Sequence, residues 1–223
     1  MPDRSPIRVL LVDDQQLIRM GFRMVLEAEP DIVVVGEAAN GAEAIDAVSA
    51  LSPDVVLMDV RMPRLDGIAA TTRIVAEHPE SRIIVLTTFD LDEYAFGALA
   101  AGASGFLLKD VQASELTVAI RAVHSGDATL SPRVTRRMLE LFGGRLPSTT
   151  ANGHDAALSS LTDRERDVFV AIAAGLTNSE IATEPFVSES TVKTHVGRVL
   201  AKMGARDRVQ AVILAHRLGL TPG

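Results

Sequence analysis

Hydrophobic and polar positions follow two different rhythms along the chain. Up to about residue 125, short continuous apolar runs alternate with amphipathic stretches. The runs are IRVLLV at 7–12, IVVVG at 32–36, VVLMDV at 55–60, RIIVLTT at 82–88 and GFLLK at 105–109. Each is short, rich in β-branched residues and apolar at successive positions, as a strand covered on both faces must be. Helix-length segments accompany them at 15–28, 41–51, 66–77, 91–102 and 112–125. Five βα units in a row predict a doubly wound α/β domain, a parallel sheet with helices on both faces.

The second rhythm is helical. Residues 131–142 read as a helix with Ser131 as N-cap and Pro132 in the first turn. GGRLPSTTANGHDAALSS at 143–160 is rich in Gly, Ser, Thr, Asn and Pro and reads as a flexible linker. Thr162 and Glu165 have the spacing of a capping box, and helices are predicted at 163–174, 178–184, 188–203 and 207–217. The domain boundaries follow: 1–127, a linker helix and flexible linker at 128–157, and an all-α domain of four helices at 158–223. In 188–203, with Ser188 as N-cap, Val192, Val196, Val199, Leu200 and Met203 share one face. Ser190, Thr194, Gly197 and Ala201 centre the other, flanked by Lys193 and Arg198. Periodicity alone fits a plain amphipathic helix equally well.

Composition narrows the function classes. A hydrophobic content of 47% excludes a disordered chain, and the absence of cysteine excludes disulfides and thiolate metal sites. No apolar leader follows the opening Met-Pro-Asp-Arg and no run nears the roughly 20 residues of a membrane span, so the expectation is a cytoplasmic protein without membrane contact. A net charge of −7 argues at first against nucleic acid, but it is unevenly spread. Residues 1–142 hold 13 basic and 21 acidic side chains; residues 143–223 hold 9 and 8, and 187–217 hold six basic against two acidic. A basic binding surface near the C-terminal end is consistent with this.

The candidate chemistry lies where polar residues close the apolar runs. Asp13 and Asp14 close the first, Asp59 the third, Thr87 the fourth and Lys109 the fifth. Ligands of open parallel sheets bind outside the carboxyl ends of the strands. A single aspartate at a strand end is ordinarily a turn or cap, but all five residues fall on one rim. Three carboxylates together repel one another, and a hard oxygen-seeking cation such as Mg²⁺ relieves that repulsion. A carboxylate can also act as a nucleophile and form an aspartyl-phosphate, with a lysine and a hydroxyl meeting the phosphoryl oxygens.

LLVDD, VVLMDVRMPRLDG, IIVLTT and GASGFLLKD, within about 6–125, resemble the receiver domain of two-component response regulators. The resemblance implies a flavodoxin-like (βα)5 fold and Asp59 as phosphoacceptor. It implies Mg²⁺ held by Asp13, Asp14, Asp59 and the Arg61 carbonyl. It makes Thr87 and Lys109 the phosphate-sensing pair and Phe106 the switch aromatic; Pro63 and Gly67 match the loop after the phosphoacceptor. Asp110 departs from the proline that often follows the lysine. Phe89, near Thr87, is a candidate shield of the phosphoryl group.

NSEIA, VSESTVKTHV and AKMGARDR, within about 158–221, resemble the LuxR-type helix-turn-helix domain of NarL/FixJ response regulators. This implies that helix 188–203 reads the major groove of double-stranded DNA, with Asn178, Ser190, Lys193, Thr194 and Arg198 as contacts. It implies dimerisation through helix 207–217, at Val209, Val212 and Ile213. Pro185 stands where the family has a core leucine, and Gly197 where some members carry a basic residue. The implied protein is a transcription regulator rather than an enzyme, phosphorylated by a sensor histidine kinase and dimeric on DNA beside RNA polymerase. The expected mechanism is a population shift in which phosphorylation draws Thr87 inward, Phe106 follows, and a recognition helix covered by the receiver is released. The alternatives are a regulator driven by protein–protein contact without phosphate, and a phosphatase or phosphotransferase, for which no substrate domain is apparent.

Overall fold

The computed structural model describes residues 5–87, 94–126, 158–182 and 188–220. The helix expected at 131–142, the linker up to residue 157, Phe89 and Pro185 lie outside the described residues. The chain divides into two compact units, Met1–Ala128 and Thr129–Gly223.

In the first unit, strands β1 (Ile7–Val12), β2 (Ile32–Ala38), β3 (Val55–Asp59), β4 (Arg82–Thr87) and β5 (Gly105–Leu108) form one sheet in the order β2-β1-β3-β4-β5. All four pairings are parallel. Helices α1 (Gln16–Glu27), α2 (Gly41–Leu51), α3 (Gly67–Glu77), α4 (Tyr94–Ala100) and α5 (Ala113–His124) follow the strands in turn. The central strands are buried throughout β3 and at Val9, Leu10, Leu11 and Val12 of β1, which is why these runs show no alternation. Edge strand β2 is different: Val33 is exposed, and only its two ends are buried. It also runs two residues past the apolar run: its register on β1 shifts between Val9 and Leu10, and pairing resumes as Leu10↔Gly36 and continues to Val12↔Ala38.

Side-chain capping sets where α2 and α3 begin. The Asn40 side chain accepts from the Ala42 and Glu43 amides, and Asp66 accepts from Ala69. Asp66 therefore stands just outside α3 rather than within it.

The second unit holds α6 (Asp163–Ala173), α7 (Asn178–Ile181), α8 (Glu189–Met203) and α9 (Arg208–Arg217). Thr162 and Glu165 form the expected capping box; Thr177 and Glu180 form a second, at the same T-x-x-E spacing. Ser188 caps α8, and Gly204 ends it in the left-handed conformation at φ 64°. The core gathers Phe169, Ile172, Ile181, Val192, Val196, Val199 and Met203 with Ala211, Val212 and Ala215. The apolar stripe of α8 is thus spent on packing against α6, and its opposite face is left to solvent.

Candidate functional site

The sheet brings the five rim residues together. Asp13 follows β1, Asp59 ends β3, Thr87 ends β4 and Lys109 follows β5. Carboxylate oxygens of Asp13, Asp14 and Asp59 lie within 4.8 Å of one another. Asp13, Asp59 and Thr87 are buried, whereas Asp14 is exposed. The Lys109 ammonium bridges the pair, 2.7 Å from Asp13 Oδ2 and 3.0 Å from Asp59 Oδ1, on a side chain only 5% exposed. The Lys109 backbone N–H donates to the Thr87 carbonyl at 2.8 Å, fixing the ends of β4 and β5 together.

Burial pushes the Asp59 carboxyl above its ordinary pKa; the bond to Lys109 and its charge oppose this, the Asp13 charge adds to it, and the Arg61 N–H opposes it. Against three carboxylates stands one bridging ammonium. Asp13 Oδ2 is buried and has the Lys109 ammonium as its ion-pair partner. This all-oxygen donor set, with more negative than positive charge, fits a hard divalent cation.

Gly67 shapes the floor of the site. An added Cβ there would stand 1.9 Å from the Asp59 carbonyl oxygen. Only glycine lets the loop return so closely to β3, and the Gly67 N–H closes that return on the Val60 carbonyl at 2.9 Å. Phe106 is buried on β5, paired in register with Val85.

Sequence reading missed Arg19. From α1 its Nη1 donates to the Asp13 carbonyl at 2.7 Å, and its Nε pairs with Glu37 Oε2 at 2.8 Å. No periodicity marks a side chain that reaches back across a helix start to a backbone oxygen.

In the second unit, Ser190, Lys193, Thr194 and Arg198 are all exposed along α8. Asn178 is placed differently: its Oδ1 accepts from Arg208 Nη1 at 2.8 Å, so its side-chain oxygen is engaged within the domain. Val212 packs into the unit's own core, and Val209 and Ile213 are buried as well. None of these three forms an exposed apolar face here.

Comparison with known proteins accords with both units. Residues 9–121 match the family model described as response regulator receiver domain, and residues 159–215 match that of bacterial regulatory proteins, luxR family. The transcriptional regulatory protein YxjL of Bacillus subtilis is 44% identical over 98% of this chain and 99% of its own length. LiaR of the same organism, also a transcriptional regulatory protein, is 44% identical over 95% of this chain and 97% of its own. Among solved structures, the response regulator ChrA of a heme-sensing two-component system aligns over 97% of this chain and all of its own, with a TM-score of 0.53 and 33% identity.

Proposed function

The chain belongs to the two-component response regulators that carry a LuxR-type DNA-binding domain, and from that premise we propose that Asp59 is its phosphoacceptor and α8 its DNA-reading helix. As a member it is a phosphorylation-dependent transcription regulator. The observation that carries the assignment of Asp59 is the Lys109 bridge to Asp13 and Asp59 amid three converging carboxylates.

The donor is the phosphohistidine of a sensor kinase. An Asp59 carboxylate oxygen attacks phosphorus, the P–N bond breaks, and the imidazole nitrogen keeps the electron pair and takes up a proton. Asp59 becomes an acyl phosphate. Lys109 turns from the two carboxylates to a phosphoryl oxygen, exchanging one anionic partner for another. The Thr87 hydroxyl donates to a second oxygen. Asp13, Asp14, Asp59 and the Arg61 carbonyl would hold Mg²⁺, which neutralises phosphoryl oxygens when bound. Inward movement of Thr87 frees space that Phe106 enters, and this biases the surface of α4 and α5.

On DNA, Lys193 and Arg198 meet phosphates while Ser190 and Thr194 face base edges. The regulator works as a dimer in the cytoplasm, beside RNA polymerase. Among the described residues, no helix is long and apolar enough to cross a membrane.

The deciding experiment measures oligomeric state and DNA affinity with and without beryllofluoride and Mg²⁺, for the wild type and Asp59→Asn. The wild type alone should dimerise and gain affinity. Equal DNA binding by both proteins under all conditions would replace the phospho-switch with control by protein–protein contact.

A further inference from the structure

Resting on the reading of the acidic pocket above, we infer that Arg19 is a positioning residue for the cation site: from α1 it fixes the Asp13–Asp14 backbone, and Glu37 of β2 holds its guanidinium in place.

Besides its ion pair with Lys109, three hydrogen bonds hold Asp13. Its N–H donates to the Ala38 carbonyl at 3.1 Å, its Oδ1 accepts from the Gln15 N–H at 2.9 Å, and its carbonyl accepts from Arg19 Nη1 at 2.7 Å. The first two are set by β2 and by the turn into α1. Arg19 makes the third, and that carbonyl belongs to the peptide plane linking Asp13 to Asp14. Fixing the plane fixes the direction in which Asp14 leaves β1. Asp14 is exposed, so the place of its carboxylate depends strongly on the backbone that carries it.

The Arg19 side chain is 14% exposed, unlike a freely solvated surface arginine. Its Nε is 2.8 Å from Glu37 Oε2, and Glu37 Oε1 is in turn 2.7 Å from Arg23 Nη2. The two arginines thus share one carboxylate, whose pKa is held below the usual range first by the bond from Arg19. A planar guanidinium can bond the carbonyl and the carboxylate together; an ammonium is a single point of charge on a flexible stem. Glu37 also offsets the Arg19 charge, so the clamp does not itself replace the cation that the carboxylates attract.

The test is direct titration of the full-length protein with Mn²⁺, followed by water-proton relaxation, with Mg²⁺ as competitor. Arg19→Met and Glu37→Gln should both weaken Mn²⁺ binding, Arg19→Met by about tenfold, the order seen when the groups that orient metal ligands are removed. Arg19→Lys should recover only part of it. Melting without metal reports folding separately. A purely structural role would lower the metal-free midpoint and leave the dissociation constant of folded protein unchanged. Wild-type affinity in folded Arg19→Met and Glu37→Gln would overturn the inference. Absence of Mn²⁺ binding by the wild type, or binding unaffected by Asp13→Asn, would overturn the pocket reading itself.

Discussion

Gly67 and Asp59 are eight residues apart in sequence yet nearly touch. The atom that a Gly67 Cβ would meet at 1.9 Å is backbone, which cannot rotate away as a side chain does. Gly67→Ala is expected to cost about 1–3 kcal/mol of stability, the usual range for overpacking, and to slow phosphoryl uptake by displacing Asp59. Thermal melts and phosphorylation by acetyl phosphate on one preparation check this; wild-type values for both would refute it. The positions of the candidate residues were legible in the sequence where strand ends announce them, as at Asp13, Asp14, Asp59, Thr87 and Lys109. They were not legible where a side chain acts across elements. Arg19 bonds a carbonyl six positions back, and Asn178 is met by Arg208 thirty positions on. Neither separation follows a helical or strand period.

Among the elements, α8 carries the most assignments. The Ser188 side chain accepts from the Thr191 amide, and Ser188→Ala should lower stability by about 1 kcal/mol and weaken DNA binding with it. Chemical denaturation and a DNA shift assay would show this, and an unchanged midpoint would argue that the other hydroxyls take over the cap. Farther along α8, Lys202 Nζ lies 2.6 Å from Glu165 Oε2 and 2.9 Å from the Ser160 carbonyl. That bond, with the Thr162 cap, lowers the Glu165 carboxyl to about 2. A carboxyl depressed in the folded state contributes stability that is fully present above its unfolded value. The contribution is lost as pH falls from about 4.5 towards 2. Lys202→Gln should flatten this part of the acid-denaturation profile of the second unit. A profile identical to wild type would show that the pair contributes nothing. Helix identity was legible in the alternation of apolar and polar positions, but the role of each apolar face was not. Val212 has the same pattern whether it meets a partner or, as here, its own core. The second capping box, at Thr177 and Glu180, did have a readable spacing.

The whole molecule pairs an acidic unit with a basic helix. Long-range repulsion from a net charge of −7 leaves DNA binding to local cations, so salt dependence measures how many phosphates they meet. Arg198→Ala should reduce the slope of log affinity against log salt by about one for each phosphate that the variant no longer neutralises. An unchanged slope would mean that Arg198 meets no phosphate. Beryllofluoride with Mg²⁺ should raise the melting temperature of the first unit. At a hundredfold excess over the dissociation constant the gain is about 2.7 kcal/mol. Calorimetry on wild type and Asp59→Asn tests this, and an equal shift in the variant would place the binding elsewhere.

The sheet order also sets a timetable. β1 is made first but sits between β2 and β3, and its inner neighbour begins at Val55, paired with Val9. Strand pairing across such separations is slow, whereas helices that pack on near neighbours, as α6 to α9 do, form quickly. During synthesis Asp13 emerges long before Asp59, and the two meet only once the β1–β3 pairing has closed. With Asp59 as the proposed phosphoacceptor, a nascent chain would accept no phosphoryl group until the centre of its sheet is in place, and competence to receive the signal would arrive only with the folded receiver.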